Sequence, residues 1–283
     1  MVGNVIVGQS GGPTSVINSS LVGVYKTAKD RGANKVYGML HGIKGLLDGQ
    51  YVDLSEHIKT TLDIDLLKRT PSSFLGSCRY KLPEICDNKE VYEQIFAKLK
   101  ELEISAFFYI GGNDSMDTIK KLSDYAIVTG SDIKFMGVPK TIDNDLAVTD
   151  HTPGFGSAAK FIAATMKEII RDGLVYDYPT VTIVEIMGRN AGWLTAAAAL
   201  AKSDDCEGVD LIYLPEKVFD IDHFMARVKE IAAKGRSMVI AVSEGIKVAD
   251  GRYVFELSEH VEFVDAFGHK QLAGSAKFLA NKI

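Results

Sequence analysis

The chain has 283 residues, 46% hydrophobic and 24% charged, a composition typical of a soluble globular protein large enough for two domains. Its formal net charge of -5 gives no sign of a basic nucleic-acid surface, and no apolar run reaches the roughly 18 to 20 residues that span a bilayer. We therefore expect no nucleic-acid partner and no membrane association.

The first half of the chain alternates strand-like and helix-like segments. Residues 1–7 lead directly into an apolar run without a basic segment, so we expect a strand there and no signal peptide. Residues 71–83 have the composition of a loop. The other elements predicted in this half are, in chain order, a strand at 4–9, a helix at 15–31, a strand at 35–39, a helix at 88–103, a strand at 106–110, a helix at 114–125 and a strand at 134–138.

The alternation restarts after the turn at residues 153–156. The predicted elements are a helix at 157–171, a strand at 180–186, a helix at 191–202, a strand at 209–214, a helix at 222–234, a strand at 238–242 and a final helix at 273–283. The final helix has no terminating glycine or proline, so we expect a chain that is cut short within its fold, with a native terminus that frays as the alternative.

Strands that alternate with helices are typical of parallel sheets covered on both faces. The predicted fold class is therefore α/β, with two Rossmann-like three-layer domains, mainly parallel sheets and an active site in the cleft between the domains. We expect a first domain at 1–150, joined by 270–283, and a second at 151–269. Cys78, Cys86 and Cys206 suit neither a disulfide scaffold nor a zinc site, which predicts free thiols and a cytoplasmic location.

Two loops follow predicted strands and carry the residues best suited to chemistry. Residues 111–115 read GGNDS, and residues 139–145 read PKTIDND. Open α/β sheets bind ligands where strands end, and paired glycines let a phosphate approach the backbone closely. Lys140 is suited to phosphate charge, and Asp143 to accepting a hydroxyl proton. Two simpler readings stay open: Asp114 and Ser115 as helix caps, and the second loop as an ordinary turn.

Three further loops add weaker signals. The turn at residues 8–13 suits an anion, but it lacks the P-loop ending and the acidic residue that a nicotinamide cofactor needs, and it is also typical of a tight packing turn. Arg189 and Glu244 each follow a predicted strand and suit a cleft. Trp193 is predicted to be core, and Arg79 is expected either to reach an anion from a mobile loop or to be solvated.

These segments appear in the order typical of the 6-phosphofructokinase family, which the chain resembles over essentially its whole length. The segments are SGG, GSCR, GGNDS, PKTIDND, PGFGSA, VEIMGRNAGWL, SEG and FGHKQ. Membership would imply transfer of a phosphoryl group to the 1-hydroxyl of fructose 6-phosphate, with Mg²⁺ as cofactor. The resemblance also implies that the first domain binds the phosphoryl donor, that the second binds the sugar phosphate, and that the protein is a homodimer or homotetramer.

The resemblance assigns roles to residues that match the family's motifs. The catalytic residues would be Asp143, as general base, with Lys140, Asp114 and Arg189. The donor would contact Gly11, Gly12, Arg79, Gly112 and Ser115. The sugar phosphate would contact Thr141, Ile142, Asp143, Met187, Gly188, Arg189, Glu244 and His269. The metal would be held by Asn113 and Asp145, although many members have an aspartate where this chain has Asn113.

The identity of the donor depends on Asp114 and Lys140, where ATP-using members of the family have glycines. A carboxylate at position 114 would repel the α-phosphate of a nucleotide, whereas the lysine would meet the terminal phosphates of pyrophosphate. The pair therefore resembles the pyrophosphate-dependent branch. Two alternatives remain, an ATP-dependent enzyme and a non-catalytic regulatory subunit. The presence of Asp143, Arg189 and Lys140 argues against the second.

Overall fold

The structure, a computed structural model, describes residues 3–258 and 274–283 of the chain. The chain divides into two compact units, Met1–Thr141 and Ile142–Ile283. The division lies between Thr141 and Ile142, upstream of the boundary that we expected at residue 150. Each unit contains its own sheet and its own hydrophobic core.

The described part of the first unit is built on a five-stranded sheet in the order β3-β2-β1-β4-β5, in which only β3 runs antiparallel to its neighbour. The strands are β1 Asn4–Gln9, β2 Val36–Met39, β3 Tyr51–Asp53, β4 Ile104–Gly111 and β5 Lys134–Pro139. The helices are α1 Ile17–Asp30, α2 Gly42–Leu47, α3 Leu54–His57, α4 Thr61–Arg69, α5 Lys89–Glu101 and α6 Asn113–Thr129. The central strand β1 is buried at every position, as expected for a parallel strand covered on both faces.

Side chains of β1 alternate between two cores, one on each face of the sheet. Val5 and Val7 pack in the cluster that includes Leu21 of α1. Ile6 packs in the opposite cluster with Ile95 of α5. Each fully buried aliphatic side chain of this kind contributes about 1.5–3 kcal/mol to folding, so the short run predicted as a strand is also the centre of the unit.

The second unit has a parallel three-stranded sheet among its described residues, in the order β6-β8-β7. The strands are β6 Val181–Ile186, β7 Leu211–Tyr213 and β8 Met238–Ser243, and the helices are α7 Phe155–Gly173, α8 Trp193–Ala196, α9 Ile221–Ala232 and α10 Ser275–Ala280. Ile240 of β8 packs with Phe224 of α9 on one face, and Ala241 packs with Met166 of α7 on the other. This unit too has three layers.

The structure corrects the predicted place of the last residues. We expected 270–283 to join the first domain, but residues 274–283 belong to the second unit. Leu279 of α10 is buried in the same cluster as Val242. The carboxylate of Glu185 in β6 accepts the backbone N–H groups of Gly274 at 3.1 Å and of Ala276 at 2.8 Å. These contacts fix the start of α10 against the second sheet.

Some helices and strands differ from the prediction in length or type, and some were not predicted at all. The helix predicted at 191–202 is the single turn α8 followed by a 3₁₀ helix at Ala197–Ala201. The elements between Tyr51 and Arg69 were not predicted.

The three cysteines, all among the described residues, form no disulfide. In the described part of the chain, no helix combines the length and apolarity needed to cross a membrane.

Candidate active site

The glycine turn after β1 leaves its backbone open at one position. The N–H of Ser10 donates to the carbonyl of Ile110 at 2.9 Å, which joins the turn to the end of β4. Gly11 has φ +75, a conformation that disfavours other residues. At Gly12 a Cβ would meet no described atom within 4 Å. A ligand could therefore approach the turn at Gly12 without displacing any described side chain.

The glycine pair after β4 lies beside this turn. A Cβ on Gly111 would come within 1.9 Å of Ser115 Oγ and 2.9 Å of Ser10 Oγ, so the position has room only for glycine. The hydroxyl groups of Ser10 and Ser115 hydrogen-bond each other. Gly112 is the N-cap of α6, and within the described residues no side chain caps this helix. The alternative prediction, capping by Asp114 and Ser115, is therefore wrong.

Lys140 brings a buried positive charge to the two loops. Its side chain comes from the end of β5, is 5% exposed, and donates from Nζ to the carbonyl of Gly12 at 2.6 Å. The backbone N–H of Lys140 donates to the carbonyl of Gly111 at 3.0 Å. A Cβ on Gly11 would lie 3.4 Å from the same Nζ. The ammonium group therefore lies directly against the glycine turn, where a bound anion would feel its charge.

Arg79 lies on a segment that is attached to the same turn. Ser77 Oγ donates to the carbonyl of Gly11 at 2.6 Å, and the N–H of Gly11 donates to the carbonyl of Cys78 at 3.4 Å. Arg79 itself is exposed, but its backbone is fixed by these neighbours. Behind them lies Tyr109, whose hydroxyl accepts the N–H of Ile43. Burial raises the pKa of Tyr109, so its side chain stays a neutral phenol, although the hydrogen bond from Ile43 acts in the opposite direction. The predicted mobile loop is thus an anchored one.

These contacts bring together five of the predicted residues in the first unit, and they attach the segment that carries a sixth, Arg79, to the same turn. The five are Gly11, Gly12, Gly112, Ser115 and Lys140. We call them the glycine-turn set. Asp114 lies in the first turn of α6, one residue before Ser115. The helix dipole adds positive potential at this end of α6. The chemistry that these groups support best is the binding of a small, highly charged anion.

In the second unit, Asn144 organises the loop that carries the paired carboxylates. It is buried, has φ +59, donates from Nδ2 to the carbonyl of Asp150 at 3.1 Å, and accepts the N–H of Thr152 at 2.8 Å. Asp143 is half-buried and Asp145 is exposed on either side of it. The amide of Asn144 therefore has a structural role, while both carboxylates remain accessible.

The loop at residues 188–192 is fixed by hydrogen bonds to the turn after β8. Gly188 has φ +135; its N–H donates to Glu244 Oε1 at 3.0 Å, and its carbonyl accepts from Ser243 Oγ at 2.8 Å. At the other end, the N–H of Gly192 donates to Glu216 Oε1 at 2.6 Å. Sequence reasoning missed Ser243 and Glu216 as supports of this loop. Their only signal was their position, since Ser243 is the last residue of β8 and Glu216 lies in the loop after β7.

The pKa of Glu244 depends on the charged groups around it. Burial raises the pKa of Glu244, and the negative charge of Asp143 raises it further. The N–H of Gly188 and the positive charge of Arg189 act in the opposite direction. The structure therefore brings Asp143, Arg189 and Glu244 into one electrostatic neighbourhood within the second unit. With Gly188 they form what we call the carboxylate set.

The remaining predicted residues have mixed outcomes. Ile142 packs against the cluster around Met166, and Met187 is exposed at the end of β6. Trp193, predicted to be core, is 55% exposed, because α8 buries Leu194 and Thr195 instead. His269 lies outside the described residues.

No group of three or more His, Cys, Asp or Glu side chains that could hold a metal ion occurs in residues 3–258 and 274–283. Mg²⁺ does not require such a group, because it keeps several waters and is often held by one or two carboxylates together with substrate phosphates. Asp143 and Asp145 of the second unit supply hard oxygen atoms of this kind, and so does the exposed amide of Asn113 in the first unit. Each unit by itself therefore offers oxygen ligands that fit a magnesium ion arriving with a phosphate.

Comparison with known proteins decides the family. Residues 4–282 match the family model described as phosphofructokinase. The chain belongs to the phosphofructokinase family. This confirms the resemblance on which the residue roles were predicted. The α/β class with mainly parallel sheets is confirmed as well, because solved structures of this phosphofructokinase fold match the chain.

Several phosphofructokinase relatives are similar over nearly the whole chain. Proteins named pyrophosphate–fructose 6-phosphate 1-phosphotransferase from Rhodospirillum rubrum and Xanthomonas campestris are 46% and 42% identical, over 96% and 99% of the chain. A solved structure titled pyrophosphate-dependent phosphofructokinase, from Marinobacter aquaeolei, is 36% identical over 99% of the chain with a TM-score of 0.80. The chain spans 66% of the length of each of these two relatives and 64% of that solved chain.

Proposed function

We propose that this member of the phosphofructokinase family transfers a phosphoryl group reversibly between pyrophosphate and fructose 6-phosphate, forming fructose 1,6-bisphosphate and phosphate. The observation that carries the proposal is the buried ammonium group of Lys140, 2.6 Å from the carbonyl of Gly12 at an open glycine turn. Relatives whose names include this activity are 42–46% identical to the chain, which supports the same reading.

The choice of pyrophosphate as donor rests on Lys140 and Asp114 together. Lys140 would neutralise charge on the terminal phosphates, and its burial strengthens that interaction because the surrounding dielectric is low. Asp114, in the first turn of α6, would repel the α-phosphate of a nucleotide. Gly11, Gly12, Gly112 and Ser115 would contact the donor, and Arg79 would add a second positive charge.

The carboxylate set would act on the sugar phosphate. Asp143 would accept the proton of the 1-hydroxyl as its oxygen attacks phosphorus, while the bond to the leaving phosphate breaks. Arg189, close enough for its charge to act on Glu244, would stabilise charge on the transferred group. Glu244 would accept hydrogen bonds from sugar hydroxyls. Thr141, Ile142, Met187, Gly188 and His269 complete the predicted sugar contacts.

Magnesium, when bound, would neutralise charge on the phosphate oxygens, and Asn113 and Asp145 would be its protein ligands.

We also expect the protein to form a homodimer or homotetramer and to be cytoplasmic, and both statements remain predictions.

The proposal is tested by assaying phosphorylation of fructose 6-phosphate with Mg²⁺ and either pyrophosphate or ATP. We expect turnover with pyrophosphate and little with ATP. The double variant Asp114→Gly/Lys140→Gly should lose most pyrophosphate turnover and gain ATP turnover. The matched control is Asp124→Gly/Lys134→Gly, which makes the same substitutions at exposed positions of α6 and β5 and should keep the wild-type preference.

Each other outcome has a defined meaning. Turnover of the wild type with ATP alone would overturn the donor assignment while leaving the acceptor assignment intact. A folded wild-type chain that turns over neither donor would overturn the proposed activity for this chain and would favour the non-catalytic alternative.

A further inference from the structure

Two buried amide side chains connect the glycine turn to the segment that carries Arg79. Gln9, the last residue of β1, and Asn18, in the first turn of α1, are both 0% exposed. Gln9 Nε2 donates to Asn18 Oδ1 at 3.0 Å and to the carbonyl of Ile17 at 3.1 Å. The two amides therefore form one unit directly below the turn that begins at Ser10.

This pair hydrogen-bonds the segment at residues 70–75. Gln9 Oε1 accepts the N–H of Leu75 and the hydroxyl of Ser73, both at 2.9 Å. Asn18 Oδ1 accepts the N–H of Phe74 at 2.9 Å, and Asn18 Nδ2 donates to the carbonyl of Thr70 at 2.9 Å. Both N–H groups of the Gln9 amide donate, and its oxygen accepts from Leu75 and from Ser73, whose single hydroxyl proton it shares with the carbonyl of Gly76 at 2.6 Å. The segment has no helix or strand of its own here, so the amide pair takes the place of a backbone partner.

The segment is also held beyond Arg79. Lys121 Nζ donates to the carbonyl of Leu82 at 3.0 Å, and the hydroxyl of Tyr92 donates to the carbonyl of Pro83 at 2.6 Å. Between these attachments, Ser77 and Cys78 bond the backbone of Gly11. The position of Arg79 relative to the glycine turn is therefore set by fixed points on both sides.

We propose that Gln9 and Asn18 are positioning residues for the phosphoryl donor. By fixing residues 73–76, the amide pair determines how Ser77 and Cys78 meet Gly11, and so where Arg79 presents its charge. This inference rests on the proposed function, because it takes pyrophosphate as the anion at the glycine turn. It goes beyond that function because it gives Gln9 and Asn18 an effect on the affinity for pyrophosphate, although neither side chain reaches the open position of the turn at Gly12.

The chain contains a matched control at the other end of β1. Asn4 is 8% exposed, donates from Nδ2 to the carbonyl of Leu102 at 2.8 Å, and accepts the N–H of Lys35 at 3.1 Å. It is the same residue type, similarly buried and similarly bonded to backbone, but it lies away from the glycine turn. Asn4→Ala and Asn18→Ala should therefore cost similar stability, while only the second should affect the donor.

The test measures KM and kcat for both substrates, thermal unfolding, and backbone hydrogen exchange. Asn18→Ala should raise KM for pyrophosphate about tenfold or more, with a smaller change in KM for fructose 6-phosphate. It should also speed exchange in residues 73–79 without speeding exchange in β4. Asn4→Ala should change neither KM nor exchange in that segment. Equal KM values for pyrophosphate in Asn18→Ala and wild type would overturn the proposal.

A double-mutant cycle distinguishes an effect of Asn18 on the position of Arg79 from a general loss of rigidity in the protein. If Asn18 acts through Arg79, the effects of Asn18→Ala and Arg79→Ala on KM for pyrophosphate should be less than additive, whereas fully additive effects would contradict the proposal. If Asn18→Ala does not fold, Ser77→Ala removes the next contact along the same path, and its half-buried side chain is easier to replace. The same KM increase is then expected, and its absence would overturn the proposal.

The exchange measurement does not depend on activity. A wild-type chain that does not turn over pyrophosphate would count against the proposed function. In that case, unchanged exchange of residues 73–79 in Asn18→Ala would count separately against the anchoring role. Faster exchange confined to that segment would support it.

Discussion

The backbone at Gly245 lies against the carbonyl oxygen of Arg189, so that a Cβ at residue 245 would come within 1.9 Å of that oxygen. Real Cβ atoms do not approach backbone this closely. The loop that carries Arg189 is therefore packed directly on the turn after β8. Gly188 also lies too close to backbone for any side chain, because a Cβ at this position would come within 2.4 Å of the carbonyl oxygen of Ala191 in the same loop.

Gly245→Ala should displace Arg189 and lower activity. Forcing a methyl group into this contact costs about 1–3 kcal/mol, and moving a reacting-site residue by about 1 Å can lower the rate roughly a hundredfold. We expect kcat/KM for fructose 6-phosphate to fall by at least that factor, together with a lower Tm. Initial rates and thermal unfolding measure both effects.

The control for Gly245→Ala is Gly156→Ala in α7, where a Cβ would meet no described atom within 4 Å. Replacing a helical glycine by alanine stabilises by about 0.5–1 kcal/mol, so Tm should rise and activity should be unchanged. If the two variants behave alike, the contact between Gly245 and Arg189 does not hold the loop.

Asp143 and Asp145 should differ in the kind of defect that their loss causes. Removing a general base lowers kcat by about 10²–10⁴, so Asp143→Asn should lose turnover at every Mg²⁺ concentration. Asp145→Asn, at an exposed position two residues away, should raise the Mg²⁺ concentration needed for half-maximal rate and recover much of its rate at high Mg²⁺. Titrating Mg²⁺ in both variants distinguishes the roles. Recovery of Asp143→Asn by Mg²⁺ would reverse the two assignments.

β1 and the glycine turns beside it show which parts of the structure can be predicted from the sequence alone. The apolar run at 4–9 is a strand with the predicted bounds, because local pattern and burial agree there. The glycine turns also come together as expected, since parallel strands place their carboxyl ends at one edge of the sheet. Lys140 lies against Gly12, and its role toward phosphate stays a prediction.

What the sequence did not reveal depends on contacts between distant residues. Glu185 bonds the N–H groups at the start of α10, about 90 residues later, and nothing in the local pattern of β6 indicates it. Trp193 is exposed because only the next two residues of the short α8 face the core. Gln9 and Asn18 appear in the sequence as two ordinary amides, and their joint role depends on a loop more than 50 residues away.

Glu244 should give the reaction an acid limb at higher pH than an ordinary glutamate would. Burial raises its pKa, so the carboxylate is protonated earlier as the pH falls, and hydrogen bonds that it accepts from sugar hydroxyls are lost. KM for fructose 6-phosphate should therefore rise as the pH is lowered through this raised pKa. In Glu244→Gln, whose amide oxygen can still accept the N–H of Gly188, KM should be higher at neutral pH and should lack this pH dependence. An unchanged acid limb in the variant would exclude Glu244 as its source.

The same pKa shift has a consequence for stability with a definite sign. A carboxyl group whose pKa is raised in the folded state favours folding when it is protonated, and this contribution is lost as the pH rises through the folded-state value. At neutral pH the wild type therefore carries a buried charge that Glu244→Gln lacks. We expect the variant to unfold at a higher temperature than wild type at neutral pH and at a similar temperature in acid. A lower Tm at neutral pH would mean that the charge interaction with Arg189 outweighs the cost of burial.

Gly12→Ala should separate donor affinity from stability. A Cβ at Gly12 meets no described atom within 4 Å, and its φ is not in the left-handed region, so the folded chain can accept the methyl group. If pyrophosphate approaches the turn here, the methyl group occupies its path, and KM for pyrophosphate should rise by about tenfold or more while Tm changes little. The matched control is Gly23→Ala in α1, where a Cβ likewise meets no described atom; it should raise Tm slightly and leave KM unchanged. Equal KM values for pyrophosphate in the two variants would show that the donor does not contact Gly12, and Lys140 would then neutralise its charge from another side.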